Sequence, residues 1–221
     1  MSEVSVDQLK LVAKRANLTI HFELLEYWVG DPSPEALVSL IDRAIDECST
    51  AMGQYPKEFD PQKEDQLTIT LILQLSKYGF DVAHDATSGG HCDIVIKDAG
   101  GFLWLGEVKK VSGINNSHLG GGFDQLMLRY ATGLPAQDQG SLVIFCNCPR
   151  IDEILKSWLD FLLKEYNDTS IVQYDDKNIF FKSNHKSEKT GRPYIVRHKP
   201  ISVYFPPSHK VTSLRKRAAR S

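Results

Sequence analysis

The sequence predicts an α/β protein, and three observations carry that reading. Segments with apolar residues at helical spacing alternate along the chain with short, strongly apolar runs suited to strands. Turn residues separate those runs, most clearly Asp98-Ala99-Gly100-Gly101, which is short enough to close a hairpin. The chain has 221 residues with a hydrophobic fraction of 42%, ample for a large core with decoration around it.

Residues 6–16 and 35–52 read as helices, the second with Leu37, Leu40, Ile41 and Ile45 on one stripe; the breaker Gly30-Asp31-Pro32-Ser33-Pro34 separates them. Residues 53–61 look like a linker bracketed by Pro56 and Pro61. A helix is expected over 64–78, with Leu67, Leu71, Leu75 and Tyr78 on one face and Gly79 ending it. Strands are expected over 80–84, 91–97 and 102–111, the first closed by the turn-like Thr87-Ser88-Gly89-Gly90. Gly120-Gly121-Gly122 reads as a flexible loop bordering the candidate site and leading into a helix over 123–132. It lacks the Lys-Ser/Thr that completes a P-loop. Residues 141–146 form a continuously apolar strand, and 151–166 an amphipathic helix with Ile151, Ile154, Leu155, Trp158, Leu159 and Leu162 at intervals of three and four. Two further strands, 178–182 and 194–205, flank a polar, basic loop over 183–192.

Charge and cysteine content narrow the setting. Nothing resembles an apolar span of membrane length or a secretory signal, and four cysteines in a chain this long do not make a disulfide framework. A reducing, cytoplasmic location without a membrane partner is expected. Cys146 and Cys148 read as buried small residues rather than zinc ligands, because no second knuckle accompanies them. The net charge is −2, unevenly spread. Residues 210–221 hold five Lys or Arg and no acid, leaving 21 Lys or Arg against 28 Asp or Glu in the rest. Lys186, Lys189, Arg192, Arg215, Lys216 and Arg217 are the candidate contacts to nucleic-acid phosphates, within a set of C-terminal cations that also includes Lys182, Arg197 and Lys199.

The chemistry concentrates on Asp93 and Glu107-Val108-Lys109. Glu107 and Lys109 are two apart on an expected strand and project to one face, while Val108 points the other way into a core. The turn at 98–101 brings Asp93 alongside Glu107. Charged groups in otherwise apolar strands are costly unless compensated, and a bound cation compensates two acids. Two rigid acids with a neighbouring ammonium suit phosphodiester hydrolysis with Mg²⁺ or Mn²⁺, hard ions that take oxygen ligands.

Over roughly residues 64–147 this order of elements and these residues together resemble the PD-(D/E)xK nuclease superfamily, the restriction-endonuclease-like fold. That resemblance implies a core of helix, three-stranded meander, helix and strand in a mixed sheet flanked by helices. Residues 57–181 would form it, with an N-terminal helical extension over 1–56 and basic strands and a tail over 182–221. It implies that Asp93 and Glu107 bind the metal, that Val108 lends its carbonyl, that Lys109 positions or activates water, and that Glu64 joins from the first helix as catalytic and metal-binding acid. Gln125, with Tyr130 five residues on, resembles the glutamine–tyrosine helix motif of exonuclease-like branches. The proline that often precedes the aspartate is Cys92 here.

The implied activity is a Mg²⁺-dependent deoxyribonuclease, endonuclease before exonuclease, serving restriction, repair or anti-phage defence. The alternative is a nuclease-fold module that binds nucleic acid or a partner without cutting. Residues 5–53, outside the family core, would dimerise or dock an ATPase or sensor subunit.

Overall fold

Local signals open the helices. Ser5 accepts from the Gln8 amide at 3.2 Å and the Gln8 side chain returns to the Ser5 amide, a capping box that starts α1 (Val6–Arg15). Following α2 (Thr19–Val29), Ser33 caps α3 (Pro34–Gln54) by accepting from Ala36, with Pro34 in the first turn. The expected linker holds a single-turn helix, α4 (Pro56–Phe59). Helix α5 (Glu64–Tyr78) ends at Gly79, whose φ of 101° is the left-handed conformation that glycine adopts without penalty.

The computed structural model describes residues 4–30, 33–84, 86–87 and 91–207. After α5 come β1 (Asp81–Ala83), β2 (Ala86–Thr87), β3 (His91–Cys92), β4 (Ile94–Lys97) and β5 (Leu103–Val111). The strand expected over 91–97 is broken at Asp93: β3 pairs with β2 as a separate ribbon, and β4 pairs with β5. Then follow α6 (Asn116–Asp124), a π-helical stretch (Gln125–Tyr130), β6 (Gln139–Cys146), α7 (Ile151–Glu165), β7 (Ser170–Asp175), β8 (Phe180–Lys186) and β9 (Pro193–Ser202). The glycine triplet expected as a loop lies inside α6. Strand β7 was not legible in the sequence, and the first four residues of the expected 183–192 loop belong to strand β8.

Seven strands form one mixed sheet in the order β1-β4-β5-β6-β9-β8-β7. The β5–β6 and β6–β9 pairs are parallel and the others antiparallel. Side chains alternate between two cores. On one face Ile94, Ile96, Trp104, Val108, Val143 and Phe145 pack against α2, α3 and α5. On the other, Val95, Leu105, Leu142, Ile144, Phe181 and Val196 pack against α6, the π-helical stretch and α7. Helix α3, placed by the sequence in an N-terminal extension, contributes Leu37, Ile41, Ala44, Ile45, Cys48 and Met52 to the first core. Strand β8 runs across the division expected between residues 181 and 182. Among the described residues no helix is long and apolar enough to cross a membrane.

Candidate active site

The site forms where β4 stops and β5 runs on. The register pairs Ile94 with Gly106, so beyond Gly106 the edge of β5 has no strand partner from β4 and its main-chain groups need others. Two carboxylates provide them. Asp93 Oδ2 accepts from the Val108 amide at 2.8 Å, and Glu64 Oε2 accepts from the Lys110 amide at 2.6 Å. The break at Asp93 is therefore structural: its side chain replaces the ladder bond that the strand no longer makes. Glu64 comes from the opposite helical layer, at the first position of α5.

Glu107 and Lys109 project from the α6 face of β5, while Val108 is fully buried in the opposite core. The Lys109 ammonium donates to Glu107 Oε1 at 2.6 Å and to the Val108 carbonyl at 2.9 Å, and stands 3.7 Å from Glu64 Oε1. Its position reflects α6. A Cβ on Gly122 would come within 2.7 Å of Lys109 Cε and 2.8 Å of Cγ, so only glycine lets the lysine stem pass beneath the helix. That close approach is the physical reason for a glycine in this helix, and the sequence pattern alone did not show it.

Burial dominates the electrostatics. Glu107 is 2% exposed; desolvation and then the neighbouring Asp93 charge push its carboxyl up to about 7, against the hydrogen bond from Lys109. Asp93 is raised by burial, with the Val108 amide and the Lys109 charge opposing. Lys109 is raised: burial alone would lower it, but its hydrogen bond to Glu107 and the surrounding acids outweigh that. Glu107 Oε2 is buried without a hydrogen-bond partner among the described residues. Of the two polar residues at the end of the first expected strand that could approach the site, His84 acts favourably on the Asp93 charge, whereas Asp85 lies outside the described residues.

Gln125 and Tyr130 are the first and last residues of the π-helical stretch. A π-helix bonds i to i+5, as the Ala131 amide does to the Leu126 carbonyl at 2.8 Å, so residues five apart share a face. Tyr130 is buried, and burial raises its hydroxyl, with the Glu107 and Asp93 charges acting in the same direction. Gln125 is half-buried and makes no side-chain hydrogen bond among the described residues.

The basic residues divide. Lys186, Lys189 and Arg192 are exposed on the β8–β9 connection, where Lys189 donates to the Arg129 carbonyl at 2.8 Å and Thr190 to Gly133 at 3.2 Å; the loop is thereby fastened to the end of the π-helical stretch. Three of the accompanying cations are internal instead. Arg197, 2% exposed, bonds both Asp46 oxygens at 2.7 and 2.8 Å, Lys199 stands 2.9 Å from Asp46, and Lys182 stands 2.6 Å from Asp42. They tie α3 to β8 and β9 and are not a phosphate surface. Arg215, Lys216 and Arg217 lie outside the described residues.

Among the described residues no group of three or more His, Cys, Asp and Glu side chains is arranged as a metal site, and Cys146 and Cys148 are buried and free. No protein-family model, curated protein or solved structure matches this chain.

Proposed function

We propose that this protein is a nuclease of the restriction-endonuclease-like type that hydrolyses phosphodiester bonds, with DNA the expected substrate and Mg²⁺ or Mn²⁺ the expected cofactor. The observation that carries the reading is the convergence on the open edge of β5 of Asp93, Glu107, the Val108 carbonyl, Lys109 and Glu64.

The residues fit a hard divalent cation. Glu107 Oε2 is buried and unpartnered, and the Lys109 ammonium already stands between Glu107 Oε1 and the Val108 carbonyl, a place suited to positive charge. Magnesium takes one or two carboxylates and completes its shell with water, so Asp93 and Glu107 with the Val108 carbonyl suffice, and Glu64 borders them across the Lys109 ammonium, 3.7 Å from it. When bound, such an ion supplies Lewis-acid stabilisation of charge developing on the phosphate. The chain's own residues do the rest. The Val108 amide fixes Asp93, the Lys110 amide fixes Glu64, and Gly122 holds the Lys109 stem, so the ammonium can orient water and offset phosphate charge without prior rearrangement. Gln125 and Tyr130 bound the π-helical stretch, and Lys189, bonded to the Arg129 carbonyl beside Tyr130, brings the cations of the β8–β9 connection to the end of that stretch.

Partner docking, by a second copy or by an ATPase or sensor subunit, is assigned to α1 and α2. Val6, Leu9 and Val12 are exposed on α1, and Leu25, Trp28 and Val29 on α2. Incubating the purified protein with supercoiled, linear and single-stranded DNA and with RNA, in Mg²⁺ and in chelator, tests the assignment. Metal-dependent cleavage supports it; binding without cleavage makes the protein a nucleic-acid-binding module instead.

A further inference from the structure

Resting on the nuclease reading, we propose that His118 is a further catalytic residue of this site, donating its imidazole N–H to the substrate phosphate at the mouth of the Asp93–Glu107–Glu64 cluster. The polar groups grade from buried to open. Side-chain exposure is 3% for Glu107, 11% for Lys109, 32% for Glu64 and 41% for His118, so an entering strand meets the imidazole first.

Its direction is set by α6. The His118 amide donates to the Asn115 side chain at 3.3 Å, fixing the first turn of the helix. His118 and Gly122 are four residues apart and share a helical face, and Gly122 lies against the Lys109 stem. One face of one helix therefore positions both the lysine and the histidine. Nε2 stands 3.6 Å from Glu64 Oε2, at the limit of an ion pair and between an exposed and a half-buried group, an interaction weak enough to be exchanged for a phosphate oxygen.

The charge balance explains the need. Three acids face a single ammonium from Lys109, a balance that repels an approaching phosphodiester until a divalent cation brings the cluster to about neutrality, and even then the acids themselves offer the phosphate no donor. A donor at the mouth, outside the acids, gives the phosphate a first anchor and holds it in register with Lys109.

The test compares His118→Ala and His118→Asn with the wild type. Affinity for a labelled duplex oligonucleotide is measured with Ca²⁺ in place of Mg²⁺, kcat and KM are measured with Mg²⁺, and Mn²⁺ affinity is measured by calorimetry. His118→Ala should lower duplex affinity and kcat/KM by about 10- to 100-fold, the range for one charge-assisted hydrogen bond, with melting temperature and Mn²⁺ affinity unchanged. His118→Asn, which keeps a donor, should recover part of the loss. Wild-type kinetics in His118→Ala would overturn the proposal and leave the nuclease reading standing. A fall in Mn²⁺ affinity matching that of Glu64→Gln would also overturn it, since His118 would then serve Glu64 rather than substrate. A wild type that neither binds nor cuts nucleic acid overturns both.

Discussion

Glu107 carries the largest electrostatic cost in the site, and its removal tests what that cost does to folding. Its carboxyl, pushed up to about 7 by burial and by Asp93, binds a proton more readily in the folded than in the unfolded chain. The stability it contributes is present below about pH 4.5 and is lost as pH rises through 7. Without metal, Glu107→Gln should therefore be more stable than wild type at pH 8 by up to about 3 kcal/mol, with the gain fading towards pH 4.5. Denaturant titrations across that range check it; a variant destabilised at pH 8 contradicts it. Histidines on the same face of the sheet act with the opposite sign. His185 is pushed down to about 4 by burial, and His198 is lowered by burial in the same direction. Their contribution is present above about pH 6.5 and is lost as pH falls through 4, so acid loss should be steeper in Glu107→Gln, where the offsetting carboxyl is gone. Nothing in the local sequence pattern pointed to this pair. Trp158 donates to His198 at 2.9 Å and Ser183 links the two rings at 2.6 and 2.7 Å, bonds made across strands and a helix from distant parts of the chain.

Elements with a strong local period were legible. Periodicity places a helix over 64–78 and the third strand over 102–111, against observed bounds of Glu64–Tyr78 and Leu103–Val111. The glycine triplet misled because glycine signals a turn in isolation, whereas in α6 the close approach of Lys109 decides its place. Gly122→Ala should consequently displace the ammonium. A shift of about 1 Å at a catalytic group can cost ~100-fold in rate, and cleavage should fall by about 10- to 100-fold while the far-ultraviolet spectrum stays helical. Wild-type activity in Gly122→Ala would mean that the lysine position is unimportant. The β8–β9 connection makes a second prediction at this scale. Neutralising Lys186, Lys189 and Arg192 should flatten the log–log salt dependence of duplex binding by ~0.9 for each phosphate that they neutralise in the wild type; an unchanged slope, measured by anisotropy, makes them solvated surface only. Lys182, Arg197 and Lys199 were indistinguishable from these three in sequence, because their partners Asp42 and Asp46 lie more than a hundred residues away on α3.

Across the whole molecule, one sheet with two helical layers unites segments that composition had divided. Helix α3 fills the first core against α5 and β9 and is clamped by Arg197, so removing residues 1–56 strips that core of Leu37, Ile41, Ala44, Ile45, Cys48 and Met52 and cuts the Asp42 and Asp46 ion pairs. That truncation should fail to fold, as judged by loss of a cooperative melt; a stable, cooperative 57–221 fragment would show the helices to be an appendage. The site itself depends on the same global arrangement, because Glu107 and Lys109 come from β5, Asp93 from the break between β3 and β4, and Glu64 from the opposite layer. The most direct test of the nuclease assignment compares wild type, Lys109→Ala and Asp93→Asn for cleavage of plasmid in Mg²⁺, alongside Mn²⁺ affinity and melts without metal. The wild type should cut and be silenced by chelator. Lys109→Ala should still bind metal but cut at least ~100-fold more slowly, and Asp93→Asn should lose metal affinity, both remaining folded. Undiminished cleavage in chelator, or by Lys109→Ala, would contradict the assignment.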